Sequence, residues 1–136
     1  MNRAASNNIR KIFQYKSLDG NCPVECFIDG LTEKQQTKVY GLIALIACEP
    51  NALNPPHVKA FRLERYKGLY ELRIKLVKLI RIIFYITKEG DIVFLHAFFK
   101  KHDRATEQAL EISKTRLIQL NLGQATTTNL RKEMQE

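Results

Sequence analysis

The adjacent prolines Pro55 and Pro56 separate two kinds of pattern along the chain. Neither ring has an N–H to give a ladder and both interrupt a helix, so no long helix or central strand crosses this point. Beyond it the hydrophobic period becomes two. VKAFRLER (58–65), LYELRIKL (69–76), LIRIIFYIT (79–87) and DIVFLHAF (91–98) each read as a strand, with Tyr66-Lys67-Gly68, Val77-Lys78 and Lys88-Glu89-Gly90 between them. Connections this short join only antiparallel neighbours, so the stretch predicts a four-stranded meander.

Before the prolines the elements are a short strand at 9–15 (IRKIFQY), a turn at SLDGNCP, and a turn or two of helix in VECFIDG ending at Gly30. Thr32 with Gln35 three places on has the form of a capping box. The helix it opens runs to about Cys48, with Val39, Leu42, Ile43 and Ile46 on one stripe. A final helix is expected over 104–120, with Leu110, Leu117 and Leu120 on one side. The fold class is therefore α+β: a small single domain, 1–120, with an antiparallel meander and the N-terminal and C-terminal helices packed on one face. The other face is expected to be open to solvent or ligand. Residues 121–136 form a polar C-terminal tail, expected to be mobile or held by a partner.

Charge narrows the partner. Of 136 residues, 22 are Lys or Arg and 14 are Asp or Glu, a net charge of +8 that favours polyanions. No apolar run approaches the ~20 residues of a membrane span, so no membrane association is expected. MNRAASNNIRK lacks the apolar centre of a signal peptide, which points to a cytoplasmic protein. Cys22, Cys26 and Cys48 are odd in number and lack zinc-site spacing, so free thiols are expected, and no metal or other cofactor.

The positive charge is not evenly spread. Leu72, Ile74 and Leu76 share one face of their strand, which places Glu71, Arg73 and Lys75 on the other. Arg81 and Tyr85 on the next strand fall beside them, and Lys100, Lys101, His102 and Arg104 follow the last strand. Like charges side by side on neighbouring strands are unfavourable, so such a patch points to a bound anion. Its chemistry suits cleavage of RNA by its own 2′-hydroxyl. That reaction needs positive charge on the phosphorane and groups that handle two protons, and it requires no metal. Arginine and lysine supply the charge, His102 is the natural proton carrier, and Tyr85 can stack on a base. His96, between apolar residues, reads as an interior histidine, and His57 as a loop residue.

GLYELRIKL, followed by RIIFY and by DIVFLHAFFKK with a terminal helix, resembles the HigB-like toxins of type II toxin–antitoxin systems. These form a branch of the RelE/ParE superfamily common in phage and mobile elements. The resemblance spans about residues 58–120. It implies a ribosome-dependent endoribonuclease that cuts mRNA and is neutralised by a cognate helix-turn-helix (HigA-like) antitoxin. It carries Arg73, Arg81, Lys100 and Lys101 over as site residues. Arg73, Arg81, Lys101 and His102 are then the expected catalytic set, with Lys75, Tyr85, Lys100 and Arg104 binding substrate. The chain departs from many relatives in having HDRAT where they carry a proline, and in having no tyrosine after Tyr85. Two other readings fit the same residues: a non-enzymatic gyrase poison of the ParE type, and a basic domain that only binds RNA.

Overall fold

The computed structural model describes residues 9–130. Its elements are β1 (Ile12–Ser17), α1 (Pro23–Asp29), α2 (Glu33–Cys48), β2 (Val58–Ala60), β3 (Tyr70–Lys75), β4 (Leu79–Ile86), β5 (Ile92–Lys100), α3 (Asp103–Asn121) and β6 (Ala125–Asn129), with short 3-10 turns at Pro50–Ala52 and Glu64–Tyr66. The meander is present as β2 to β5, all antiparallel. Its first strand is only three residues long, because the chain turns into the 3-10 segment before Tyr66. In the β4–β5 hairpin Gly90 has φ +89°, a conformation L side chains rarely adopt. Its N–H donates to the Thr87 carbonyl at 2.9 Å.

The α+β class is as expected, but the sheet is wider and mixed. Its order is β2-β3-β4-β5-β1-β6. β1 lies parallel to β5, with Ile12 opposite Ile92. β6 runs antiparallel to β1 along Phe13–Ser17, so the sheet continues into the polar stretch where a tail was expected. Leu130, directly after it, is buried against the main core. Residues 131–136 lie outside the described part.

The helices are divided between the two faces, where all were expected on one. α1 and α2 bury Val24, Ile28, Val39, Ile43 and Ile46 against Leu72, Ile74, Ile82, Phe84 and Phe94. The expected capping box holds the start of α2: Gln35 N donates to Thr32 Oγ1 at 3.1 Å, and Thr32 N to Gln35 Oε1 at 2.8 Å. α3 crosses the opposite face, where Ala109 and Leu110 pack with Tyr15, Ile83, Val93 and Leu95. The reason is in the strands themselves. Ile83, Val93 and Tyr15 are apolar on the face that also carries Glu71 and Arg73, and a sheet apolar on both sides must be covered on both. A bulge sharpens this. The register shifts between Ile83 and Phe84, so Leu95 has no partner of its own on β4. Leu95 and His96 consequently both meet α3, Leu95 in its apolar cluster and His96 at Arg116.

If β6 is integral to the sheet, Leu130→Ala should lower unfolding stability by about 2–5 kcal/mol, the usual range for a buried leucine. Chemical denaturation measures this, and a midpoint equal to that of the parent would show that the last strand is only appended.

Candidate nucleic-acid interface

On the α3 face the helix covers the middle of the sheet and leaves the β2–β3 margin uncovered. There a cleft of about 390 Å³ opens between the 59–66 segment, β3 and the first turns of α3. Lys59, Phe61, Arg65, Glu71, Arg73 and Lys100 are among its walls. A larger hollow of about 670 Å³, mostly apolar, shares the wall formed by Phe61, Tyr66 and Leu110.

Arg73 and Arg81 stand directly opposite each other on β3 and β4, as the alternation required. Two guanidiniums so placed repel, and the structure relieves this with Glu71. Its carboxylate is only 3% exposed, and Oε1 lies 3.3 Å from Arg73 Nε and 3.7 Å from Arg81 Nε. The first contact is a hydrogen bond; the second is too long to be one. Glu71 Oε2 has no hydrogen-bond partner among the described residues. The two arginines differ in access. Arg73 is one third exposed and lines the cleft, whereas the Arg81 side chain is 5% exposed and turns Nη1 to the Ile80 carbonyl. Burial holds the Arg81 guanidinium below its ordinary pKa, with Glu71 pulling it up and Arg73 pushing it further down.

Of the other expected residues, Lys100 lies in the cleft, its Nζ 3.6 Å from Asp103. Lys101, His102 and Arg104 are exposed beside it, where β5 gives way to α3. His102 is the N-cap of that helix, and its Nδ1 accepts from Ala105 N at 3.3 Å. A neutral imidazole that accepts at Nδ1 carries its proton on Nε2, so the capping histidine presents a donor to solvent. Lys75 is exposed at the end of β3. Tyr85 is not brought to the cleft. It lies four residues from Arg81 along β4, about 13 Å at strand spacing, half-buried beside the α3 cluster, and this burial raises its pKa.

Sequence reading missed Glu71 as the centre of the group, having only placed it on the same strand face as Arg73 and Lys75. It also missed Lys59, Phe61, Arg65 and Thr106 as walls. The Glu71 signal was available in its placement two residues before Arg73, on the same face. The others depend on how the 59–66 segment folds back and where α3, which carries Thr106, crosses the sheet; no periodicity records either.

A six-stranded mixed sheet with three helices is compatible with the RelE-like fold; the cleft at its margin sets Lys59, Arg65, Arg73 and Lys100 against Glu71, Asp103 and Glu107. The chain belongs to the family Phage derived protein Gp49-like (DUF891), whose model matches residues 26–118. That family falls in the RelE/HigB-like group of toxin–antitoxin toxins. No curated protein matches the chain. No helix among the described residues is long and apolar enough to cross a membrane.

His96 sits apart from the cleft on the same face, stacked on Phe98 with its Nδ1 3.2 Å from Arg116 Nη1. Burial, and then the Arg116 charge, push its pKa down from 6.5 to about 4. Between those values the unfolded chain binds a proton that the folded chain refuses, so stability is full above pH 6.5 and falls as pH drops toward 4. The loss should reach about 3 kcal/mol. His96→Gln should flatten this part of the stability–pH curve, as measured by thermal melts across that range.

Proposed function

We propose that the protein is the toxin of a toxin–antitoxin pair and acts as a metal-independent endoribonuclease on mRNA at the ribosome. The observation that carries this reading is the cleft in which Arg73 and Lys100 face a common space beside the start of α3. The membership in a toxin group supports it independently. Arg73 offers a planar fork suited to two phosphate oxygens, and Lys100 a point charge beside it. The N-terminal end of α3 adds its partial positive charge to the same region.

In this reading the RNA backbone enters along the exposed cations Lys75, Lys101 and Arg104, and the scissile phosphate sits between Arg73 and Lys100. The 2′-hydroxyl gives its proton to water as its oxygen attacks phosphorus. The bond to the 5′-oxygen breaks and that oxygen takes the proton of His102 Nε2, leaving a cyclic phosphate and a free 5′-hydroxyl, and water then returns a proton to the imidazole. Positive charge on the equatorial oxygens stabilises the phosphorane. His102, with its proton on Nε2, donates a hydrogen bond to the phosphate group. Arg81 acts from beneath, fixing the position of Glu71 and hence of Arg73. The base-stacking role expected of Tyr85 passes to Phe61, whose ring is in the cleft wall. A helix-turn-helix antitoxin would neutralise the protein by covering this cationic margin.

Arg73→Ala should leave the fold intact and reduce cleavage by about 10²-fold or more, abolishing growth arrest on induction. Mapping of mRNA 5′ ends after induction measures this. Cuts in translated messages that persist in the variant would overturn the assignment of Arg73. An SOS response without cuts would favour the gyrase-poison reading. Arg81→Ala, by contrast, should chiefly destabilise the protein, because the Arg81 side chain is buried and its loss leaves a void beside the enclosed Glu71 carboxylate, whereas Arg73 is one third exposed.

A further inference from the structure

The Glu71 carboxylate has no role yet beyond relieving repulsion, and its geometry is more specific than that task demands. A counter-ion placed between two guanidiniums could meet any of their six nitrogens. Glu71 Oε1 instead meets the Nε of both, at 3.3 Å on Arg73 and 3.7 Å on Arg81. A carboxylate that holds an arginine by Nε leaves the far edge of the guanidinium, one N–H from each terminal nitrogen, directed away from it. On Arg81 one of these is used, Nη1 donating to the Ile80 carbonyl at 3.2 Å. On Arg73 neither terminal nitrogen has a partner among the described residues, and the side chain lines the cleft.

We propose that Glu71 is a positioning residue that holds Arg73 by Nε so that its two terminal nitrogens form a preset fork for one phosphate of the RNA backbone. The inference rests on the ribonuclease reading for the identity of the anion. Preorganisation is the reason such a residue matters. An arginine has several freely turning bonds, and fixing it before substrate arrives removes an ordering cost from each binding event. The carboxylate is suited to the task because it cannot wander. The Glu71 side chain is 3% exposed on β3, and Arg81 occupies its other side. Its charge, placed at the root of the guanidinium and not at the fork, keeps the pair oriented without occupying the phosphate position.

The test is a double-mutant cycle on the full chain, using Glu71→Gln, Arg73→Ala and both together. Two readouts are taken: affinity for a short single-stranded RNA, and cleavage of ribosome-bound message. Each single substitution should weaken RNA binding by about tenfold, on the order of one lost charge-assisted contact. Each should also make the dependence of log affinity on log salt shallower by about one phosphate contact. The double variant should bind no more weakly than Arg73→Ala alone. Losses that multiply, or a salt slope that Glu71→Gln leaves unchanged, would overturn the assignment. If Glu71→Gln fails to fold, Glu71→Asp carries the same cycle. It keeps the buried charge but draws the carboxylate back by one methylene, and the same losses and the same coupling are expected. A parent protein that binds RNA and never cuts it overturns the nuclease reading, while the cycle in binding still decides the role of Glu71. A parent with no affinity for RNA overturns both.

Discussion

Glu71 allows two arginines to face each other across β3 and β4. Without it, Arg81 would be an almost fully buried cation opposite a second cation, and neither position would be tolerable at that register. Breaking a buried ion pair by removing one member typically costs about 3–5 kcal/mol, because the remaining charge keeps its desolvation penalty. The register of the β3–β4 pair therefore has two supports. One is apolar, Leu72 and Ile74 against Ile82 and Ile80 on the α1–α2 face. The other is ionic, on the α3 face. A slip by one residue would exchange these faces and place the charges in the core.

Helix α3 then decides which of the cations meet solvent. It covers the centre of its face through Ala109 and Leu110, and the cluster there includes Ile83, Val93 and Leu95. Arg81, at the edge of that cover, is buried; Arg73, one strand further out, is not. The same helix begins at Asp103, with two residues between it and the end of β5 at Lys100, so its positive end and the segment 100–104 are delivered to the cleft by chain connectivity alone. The bulge on β5 contributes from a distance. By turning both Leu95 and His96 to the helix, it widens the apolar seat on which α3 rests.

Much of this was legible in the residues. The alternation in YELRIK and LIRIIFYI determines which side chains share a face, and the Arg73–Arg81 pairing follows from it. The capping box at Thr32 and the stripe Val39, Leu42, Ile43, Ile46 are local signals, and they were correct. What escaped is non-local. The residues of β6, ATTTN, form a strand because the outer edge of β1 is free to pair, and nothing in the segment itself announces that. The placement of α3 on the second face was signalled weakly by Ile83 and Val93, whose apolar character the basic neighbours obscured. Tyr85 was assigned to the cationic group because it shares a face with Arg81. Sharing a face fixes direction but not distance, and four residues of strand separate the two.

These differences sort the cations by task. Burial makes Arg81 a structural charge, held to Glu71 and to its own strand backbone. Arg73 and Lys100 line a concave space, while Lys101 and Arg104 stand in the open beside it. Salt screens exposed charges far more than enclosed ones, so under the ribonuclease reading the outer pair mainly steers the RNA and the inner pair discriminates the phosphate to be cut. A substitution at the rim then changes the rate of association and its salt dependence. A substitution at Arg73 changes what happens after the RNA has arrived, and one at Arg81 changes whether there is a folded protein for it to meet.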